Sequence, residues 1–401
     1  MTENTPGEQP QSVLPLAPRQ MLGIVSHKLH YVHNNEYYTD GGFADYVEGL
    51  SAHFRQTVLV VPVIKALDKE VKNLRKVSYP GCKLCPLPGY AVRTAKAWLL
   101  SPLIRRFVRR SLRNCDVVNV RLFSMCAMAA LHAVEAMNKP IFLSLVGQVY
   151  FGYPSGLRAL LRRQMETMVR HHLTFVHGWY LVDVHHLDPA MCVPTYSSTF
   201  HLSDVRKRHN SGPVKDEPIR LIFVGRLDPA KGVDFLLKAL AAQAEFKQQF
   251  QLEIVGDGVF RQSLTNLTQQ LGLQQMVTFH GYIPHGEKMD RLMGAAHAMV
   301  FTPLHEGAPK VVTEAMRFGL PIIASRVGAI PTVIQDGING WLVDPGDVEQ
   351  IVAKLHTLSQ TSPSDLGEVS KRNLTEAAEY TVEQVSRAMV KTLIDRGLLW
   401  P

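Results

Sequence analysis

The pattern that most constrains this chain is a short apolar run, a glycine-containing turn and a helical stretch, repeated many times. Arg220-Leu221-Ile222-Phe223-Val224 runs into Gly225, and helical spacing follows from Val233 to Ala242. Gln251-Leu252-Glu253-Ile254-Val255 runs into Gly256-Asp257-Gly258, and Val277-Thr278-Phe279 into His280-Gly281. Ala298-Met299-Val300-Phe301 precedes His305-Glu306-Gly307-Ala308-Pro309, after which a short helix closes at Gly319. Apolar strands alternating with helices predict a parallel sheet covered on both faces.

The same alternation fills the first half. Met21–Val25, Thr57–Val61, Asp116–Val120 and Pro140–Ser144 read as strands. A polar, His- and Tyr-rich loop ends in Asp40-Gly41-Gly42, and a helix is expected from Phe43 to about Phe54. An Ala-, Met- and Leu-rich helix fills the space before Pro140. With 401 residues, two domains are expected. The charged, Gly- and Pro-containing stretch from Arg206 to Pro213 is the natural linker. The expected division is a disordered tail 1–18, a first Rossmann-like domain 19–205, a linker 206–217 and a second Rossmann-like domain 218–375. A C-terminal helical segment 376–401 is expected to pack back on the first domain.

Composition excludes several classes. Apolar content of 46% and charged content of 19% suit a globular protein, and no apolar run is long enough to cross a bilayer. The first 20 residues lack a basic start and an apolar stretch, so a cytoplasmic placement is expected. Five scattered cysteines argue against a disulfide framework. Cys82 and Cys85 form a lone C-x-x-C with no second pair for zinc, and read as two ordinary thiols in a loop. The net charge of +8 is uneven: 26 Lys and Arg face 14 Asp and Glu up to Lys215, and 17 face 21 after it. A basic first half points to an anionic partner for that half.

The strand-end motifs carry the chemistry. In Val224-Gly225-Arg226-Leu227-Asp228-Pro229-Ala230-Lys231-Gly232, Gly225 permits close backbone approach, and Arg226 and Lys231 could meet a diphosphate. The bland alternative is a strand-end turn with two solvated charges. Gly256 sits in a tight turn that is as well explained by structure alone, and Phe279-His280-Gly281-Tyr282 could offer backbone groups to a base or simply end a strand. Glu306 and Glu314 lie eight residues apart, the first on a strand-end loop, the second about one turn into a helix that Pro309 can start. Paired acids often signal glycoside hydrolysis. Beside strand-end glycines and cations, however, they suit the hydroxyls of a nucleotide, with helix-start amides facing phosphate. Capping by Glu306 is the bland alternative.

Taken in order, GRLDPAKG, VGDG, FHGY, EGAPKVVTEAM and GLPIIASRVGAIPTVIQDGINGWLV resemble the family 4 retaining glycosyltransferases. The resemblance is close from Arg220 to Leu355 and holds only in outline before that. It implies a GT-B fold: α/β, two facing Rossmann-like domains with a central cleft. It implies that Arg226 and Lys231 bind the diphosphate of a nucleotide sugar, that Glu306 faces the donor sugar and that Glu314 holds the ribose. These make Arg226, Lys231 and Glu306 the catalytic candidates. Gly225, Gly256, Tyr282, Gly307, Ala308, Pro309, Lys310 and Val311 complete the donor side. Gly41 and Gly42 look like the family's glycine loop near donor phosphate and acceptor. Many members carry a histidine shortly after the strand at Ile141–Ser144; here Gln148 stands in the segment instead, so no catalytic histidine is assigned there. His27 and Gln148 are the acceptor-side candidates. His30 and His33, like His27, also read as ordinary loop histidines.

Ala97 to Arg113 forms a basic amphipathic pattern. Leu100, Leu103, Ile104, Phe107 and Val108 share one face, and Arg105, Arg106, Arg109, Arg110 and Arg113 the other. It is either an ordinary helix with a solvated basic face or a surface for anionic lipid that brings the enzyme to a lipid-linked acceptor. No nucleic-acid-binding motif accompanies the charge.

These readings converge on a metal-independent, retaining hexosyltransferase with no cofactor, the nucleotide sugar being a substrate. A UDP- or GDP-sugar is the expected donor. The partners are that donor, a glycan or lipid-linked acceptor and an anionic membrane surface. Polysaccharide, lipopolysaccharide or glycolipid assembly is the expected setting. A nucleotide-sugar epimerase of the same architecture, a phosphorylase and a non-catalytic nucleotide-sugar-binding subunit are the alternatives.

Overall fold

A computed structural model gives the structure of the protein and describes residues 15–67, 71, 74–88, 101–122, 124–146, 163, 166–167, 169–178, 180–205 and 217–400. The chain divides into two units. The first comprises Met1–His177, Leu181–Ser203 and Thr381–Pro401, and the second Gly178–Tyr180 and Asp204–Tyr380.

The described residues of the first unit form ten strands. They are β1 (Ala17–Val25), β2 (His30–His33), β3 (Glu36–Thr39), β4 (Phe54–Lys65), β5 (Arg75–Val77), β6 (Cys82–Pro88), β7 (Val117–Leu122), β8 (Ile141–Leu145), β9 (Leu173–His177) and β10 (Cys192–Thr195). The parallel core runs β6-β4-β1-β7-β8-β9-β10, and β2-β3-β5 extend it beyond the end of β4. Burial of Leu22–Val25 in β1, of Thr57–Pro62 in β4 and of all of β7, β8 and β9 explains their apolar runs. Helices α1 (Gly41–Ser51), α2 (Ser101–Leu112) and α3 (Met125–Glu135) connect these strands.

Several boundaries differ from the sequence reading. β1 begins at Ala17, inside the expected tail 1–18, because the Ala17 amide donates to the His53 carbonyl at 2.9 Å and Ala17 is fully buried. The polar stretch after β1 is a β-hairpin, not a loop. Asn34 and Asn35 at its tip have φ of 48° and 62°, the left-handed pair that a two-residue hairpin turn requires. α1 starts at Gly41, not Phe43, because the Asp40 carboxylate accepts from the Phe43 amide at 3.0 Å and caps the helix. Cys82 and Cys85 lie on strand β6 rather than in a loop, three residues apart and so on opposite faces.

The second unit is a six-stranded parallel sheet. Its strands are β11 (Ile219–Val224), β12 (Phe250–Val255), β13 (Val277–Gly281), β14 (Ala298–Phe301), β15 (Ile322–Ser325) and β16 (Gly340–Val343). The order β13-β12-β11-β14-β15-β16 reverses direction between β11 and β14. Helices α4 (Val233–Ala241), α5 (Arg261–Gln270), α6 (Glu287–Ala295), α7 (Lys310–Met316), α8 (Val348–Gln360) and α9 (Pro363–Glu379) cover it. The expected boundary at 375/376 would cut α9. The chain crosses at Thr381 instead, where the Thr381 side chain caps α10 (Val382–Asp395). α10 buries Met389, Val390 and Leu393 in the core of the first unit, against Phe43, Val47 and Leu50 of α1. The proposed tail up to residue 14, the linker from 206 to 216 and Gln148 lie outside the described residues.

Candidate functional site

Open α/β sheets bind ligands at the carboxyl ends of their strands, where the strand order reverses. In the second unit that point lies between β11 and β14, and a cavity of about 340 Å³ opens there. It is lined by the ends of β11, β12 and β14 and by the start of α7. Of the sequence candidates, Gly225, Arg226, Lys231, Gly256, Tyr282, Glu306, Pro309, Lys310, Val311 and Glu314 line this one cavity.

The backbone is shaped for close approach. Gly256 has φ of 145°, and a Cβ there would stand 1.8 Å from the Gly225 carbonyl oxygen. The two turns are locked together, Gly225 donating to Val255 at 3.0 Å and Leu227 to the Asp257 carbonyl at 2.9 Å. Gly232 ends a 3-10 turn (Pro229–Lys231) at φ 63°, and a Cβ there would meet the Thr302 carbonyl at 2.0 Å. The Leu304 amide donates to Ala230 at 2.8 Å, so the loop carrying Lys231 is tied to the loop carrying Glu306. From below, the Ala329 amide donates to the Gly307 carbonyl at 2.8 Å.

The charged groups follow from this scaffold. Lys231 and Glu306 form a hydrogen-bonded ion pair, both side chains largely buried, and the other Glu306 oxygen accepts from the Gly307 amide at 3.0 Å. Glu306 therefore caps no helix: α7 begins after Pro309. Glu314, on α7, is buried, with the His285 ring 4.0 Å away. Arg226 differs from Lys231. Its side chain is 83% exposed at the rim and meets Asp228 at 3.2 Å. Tyr282 is also exposed at the rim, where a flat base could stack. The lining also includes Asp257, Ile283, His285 and Met289, which the sequence reading did not single out. Asp257 lies in the VGDG turn after β12, while Ile283, His285 and Met289 depend on the turn after β13 and on α6, whose sequences carry no motif.

In the first unit, His27 follows β1 and lies beside β7. Burial first, then the positive charges of Lys28 and Arg121, push its pKa down to about 4, so the ring is neutral near pH 7. His30 is fully buried on β2, bonded to the Tyr79 hydroxyl at 2.9 Å, and His33 bonds the Ala66 carbonyl at 3.1 Å. Gly41 and Gly42 form the first turn of α1. On α2, Ile104, Val108 and Leu112 face inward, while Arg106, Arg109, Arg110 and Arg113 are exposed and Arg105 is half-buried. Leu103 departs from the expected apolar face. It is 65% exposed, because its wheel position borders Arg110 rather than the buried stripe.

Residues 204–378 match the family model described as "Glycosyl transferases group 1". Among curated relatives, an uncharacterized glycosyltransferase of Methanocaldococcus jannaschii is 33% identical over 138 residues, 34% of this chain and 35% of that protein. A D-inositol 3-phosphate glycosyltransferase of Mycobacterium marinum is 27% identical over 218 residues, 52% of this chain and 46% of that one. The matches thus span about a third to a half of these relatives. Among solved structures, Anabaena HepE in complex with UDP and glucose aligns over 94% of this chain and 100% of its own at TM-score 0.67 and 15% identity. That likeness shows the fold, which is GT-B.

Proposed function

From a chain whose residues 204–378 match the group 1 glycosyl transferases, we propose a glycosyltransferase that takes its sugar from a nucleoside diphosphate sugar held in the second unit. The observation that carries the reading is the meeting of Lys231, Glu306 and Glu314 in one cavity at the point where the strand order reverses. A diphosphate needs cations and backbone amides. Lys231, Arg226 from the rim and the backbone around Ala308 to Lys310 supply them. In this reading Glu314 holds the ribose hydroxyls and Glu306 faces the sugar. Bound UDP in Anabaena HepE supports a donor of this chemistry.

The reaction follows from the charges. The donor's C1–O bond breaks, and the bonding pair leaves with the diphosphate, whose growing charge Lys231 and Arg226 offset. The acceptor oxygen forms the new bond to C1 from the same face, and its proton passes to the departing phosphate oxygen. Configuration is retained, and neither a protein base nor a metal is required in this scheme. The acceptor is a glycan or lipid-linked hydroxyl. Leu103 exposed among the arginines of α2 supports docking on an anionic membrane surface, since an apolar wedge ringed by cations suits lipid headgroups. Among the described residues, no helix is long and apolar enough to cross a membrane.

Two assays test the reading. UDP- and GDP-sugars are incubated with and without acceptors, and nucleotide release and product anomer are followed. Acceptor-dependent release with a retained anomer is expected; epimerised sugar without acceptor, or an inverted product, would sink it. In co-sedimentation, vesicles containing phosphatidylglycerol should retain the wild type. Replacing Arg106, Arg109, Arg110 and Arg113 with Gln should release it, and a wild type indifferent to anionic vesicles overturns membrane docking.

A further inference from the structure

Arg121 interrupts the buried run of β7, the strand beside β1 where the strand order of the first unit reverses. It is 5% exposed. Its guanidinium carbon lies 4.2 Å from the Tyr46 ring centroid and 5.1 Å from that of Phe43, both on α1. Nη1 is buried without a hydrogen-bond partner, and no carboxylate forms an ion pair with Arg121 among the described residues. Asp40, the acid whose charge acts on the guanidinium, is already committed to Lys28 at 2.6 Å and to capping α1.

A buried cation without a counter-ion costs free energy unless something pairs with it. The groups around the guanidinium are fixed by hydrogen bonds. Tyr46, under the guanidinium, donates to the Asn119 side-chain oxygen at 2.9 Å and lies 2.8 Å from the Ser144 hydroxyl, and the Asn119 amide reaches Ser144 at 3.0 Å. These bonds fix the ring on which Arg121 rests. At the adjacent end of α1, the Gly41 and Gly42 amides make no hydrogen bond among the described residues, in an 11-residue helix whose dipole favours an anion. Neutral His27 adds a ring that brings no competing charge.

We propose that Arg121 is the anchor of an anion site at the carboxyl edge of the first sheet, taking a phosphoryl group of a substrate. This deepens the proposed function, on which it rests, by giving the acceptor a phosphate that the first unit recognises. Arg121 acts there as a binding residue, and Tyr46, Asn119 and Ser144 as its positioning residues.

The test uses the full chain with inorganic phosphate as probe, followed by melting temperature and calorimetry. Wild type should be stabilised by phosphate. Arg121→Met should bind it at least tenfold more weakly and, without phosphate, melt no lower than wild type, because an uncompensated buried charge has been removed. Arg121→Lys keeps a charge without the planar fork and should fall between them; it decides the matter if the methionine variant does not fold. Phosphate affinity within twofold of wild type in the folded variant overturns the site and leaves Arg121 a packing residue. UDP separates the two sources. If Arg121→Met weakens UDP and UDP displaces phosphate, the acceptor assignment is overturned. If an acceptor phosphate is the ligand, UDP affinity is unchanged and phosphate binds beside it. Failure of wild type to bind UDP or GDP would sink the proposed donor while leaving the phosphate result intact.

Discussion

Glu306→Gln separates the two partners of the Lys231–Glu306 pair by sign. Glu306 holds Lys231, and both side chains are largely buried at 17% and 14% exposure. A diphosphate must take Lys231 from that carboxylate and also endure its negative charge. Two unit charges about 4 Å apart at an effective dielectric of 20 interact by about 4 kcal/mol. Partial exposure and the neighbouring cations reduce this to about 1 kcal/mol at the diphosphate, or roughly fivefold in affinity. Glu306→Gln should therefore bind free UDP or GDP about fivefold more tightly than wild type, while sugar transfer is lost. Lys231→Met removes the other partner. It leaves a buried carboxylate with only the Gly307 amide, costing about 3 kcal/mol of stability, and nucleotide affinity should fall by at least tenfold through loss of a charge-assisted contact. The double variant Lys231→Met/Glu306→Leu should regain most of the stability but none of the affinity. Calorimetric titration with UDP and GDP and urea unfolding read these quantities. Weaker nucleotide binding by Glu306→Gln refutes the competition, and an unchanged affinity in Lys231→Met refutes the phosphate role.

Two further expectations rest on other parts of the molecule. Burial holds His30 and His53 at about 4, below the usual histidine value, so the unfolded chain binds more protons than the folded one between pH 6.5 and 4. Their contribution is complete above pH 6.5 and is lost as pH falls toward 4. About 1–2 kcal/mol per histidine should disappear between pH 7 and pH 5 in urea unfolding, and His30→Gln/His53→Gln should flatten that slope; an unchanged slope contradicts the assignment. Gly256→Ala forces a Cβ to 1.8 Å from a backbone oxygen, whereas at Gly337, φ 77°, nothing lies within 4 Å. The first should cost several kcal/mol and nucleotide binding together, the second about 1 kcal/mol with binding intact. Equal losses in thermal melts would refute the packing argument.

The second unit was far more legible in the sequence than the first. Its strands end in glycines that backbone contacts demand, as at Gly225 with Gly256 and at Gly232 with Thr302, so motif and structure coincide. The hairpin at Asn34-Asn35 carried a turn signal, but its flanking strands are short and polar, and apolar periodicity does not mark them. Arg121 left one trace, a charge within an apolar strand, which pattern alone cannot distinguish from the strand's end.

The sequence by itself determined two parallel α/β units, most of the residues that line the cavity of the second unit and the basic face of α2, because periodicity and strand-end glycines are local. Only the tertiary structure decided that Lys231 spends its charge on Glu306, that Arg226 stands exposed while Lys231 does not, and that Arg121 is buried with its Nη1 unpartnered among the described residues. Those facts depend on which loops meet in space: 75 residues separate Lys231 from Glu306. Burial, which gives a charge its worth, belongs to the packed fold and to no segment of the chain.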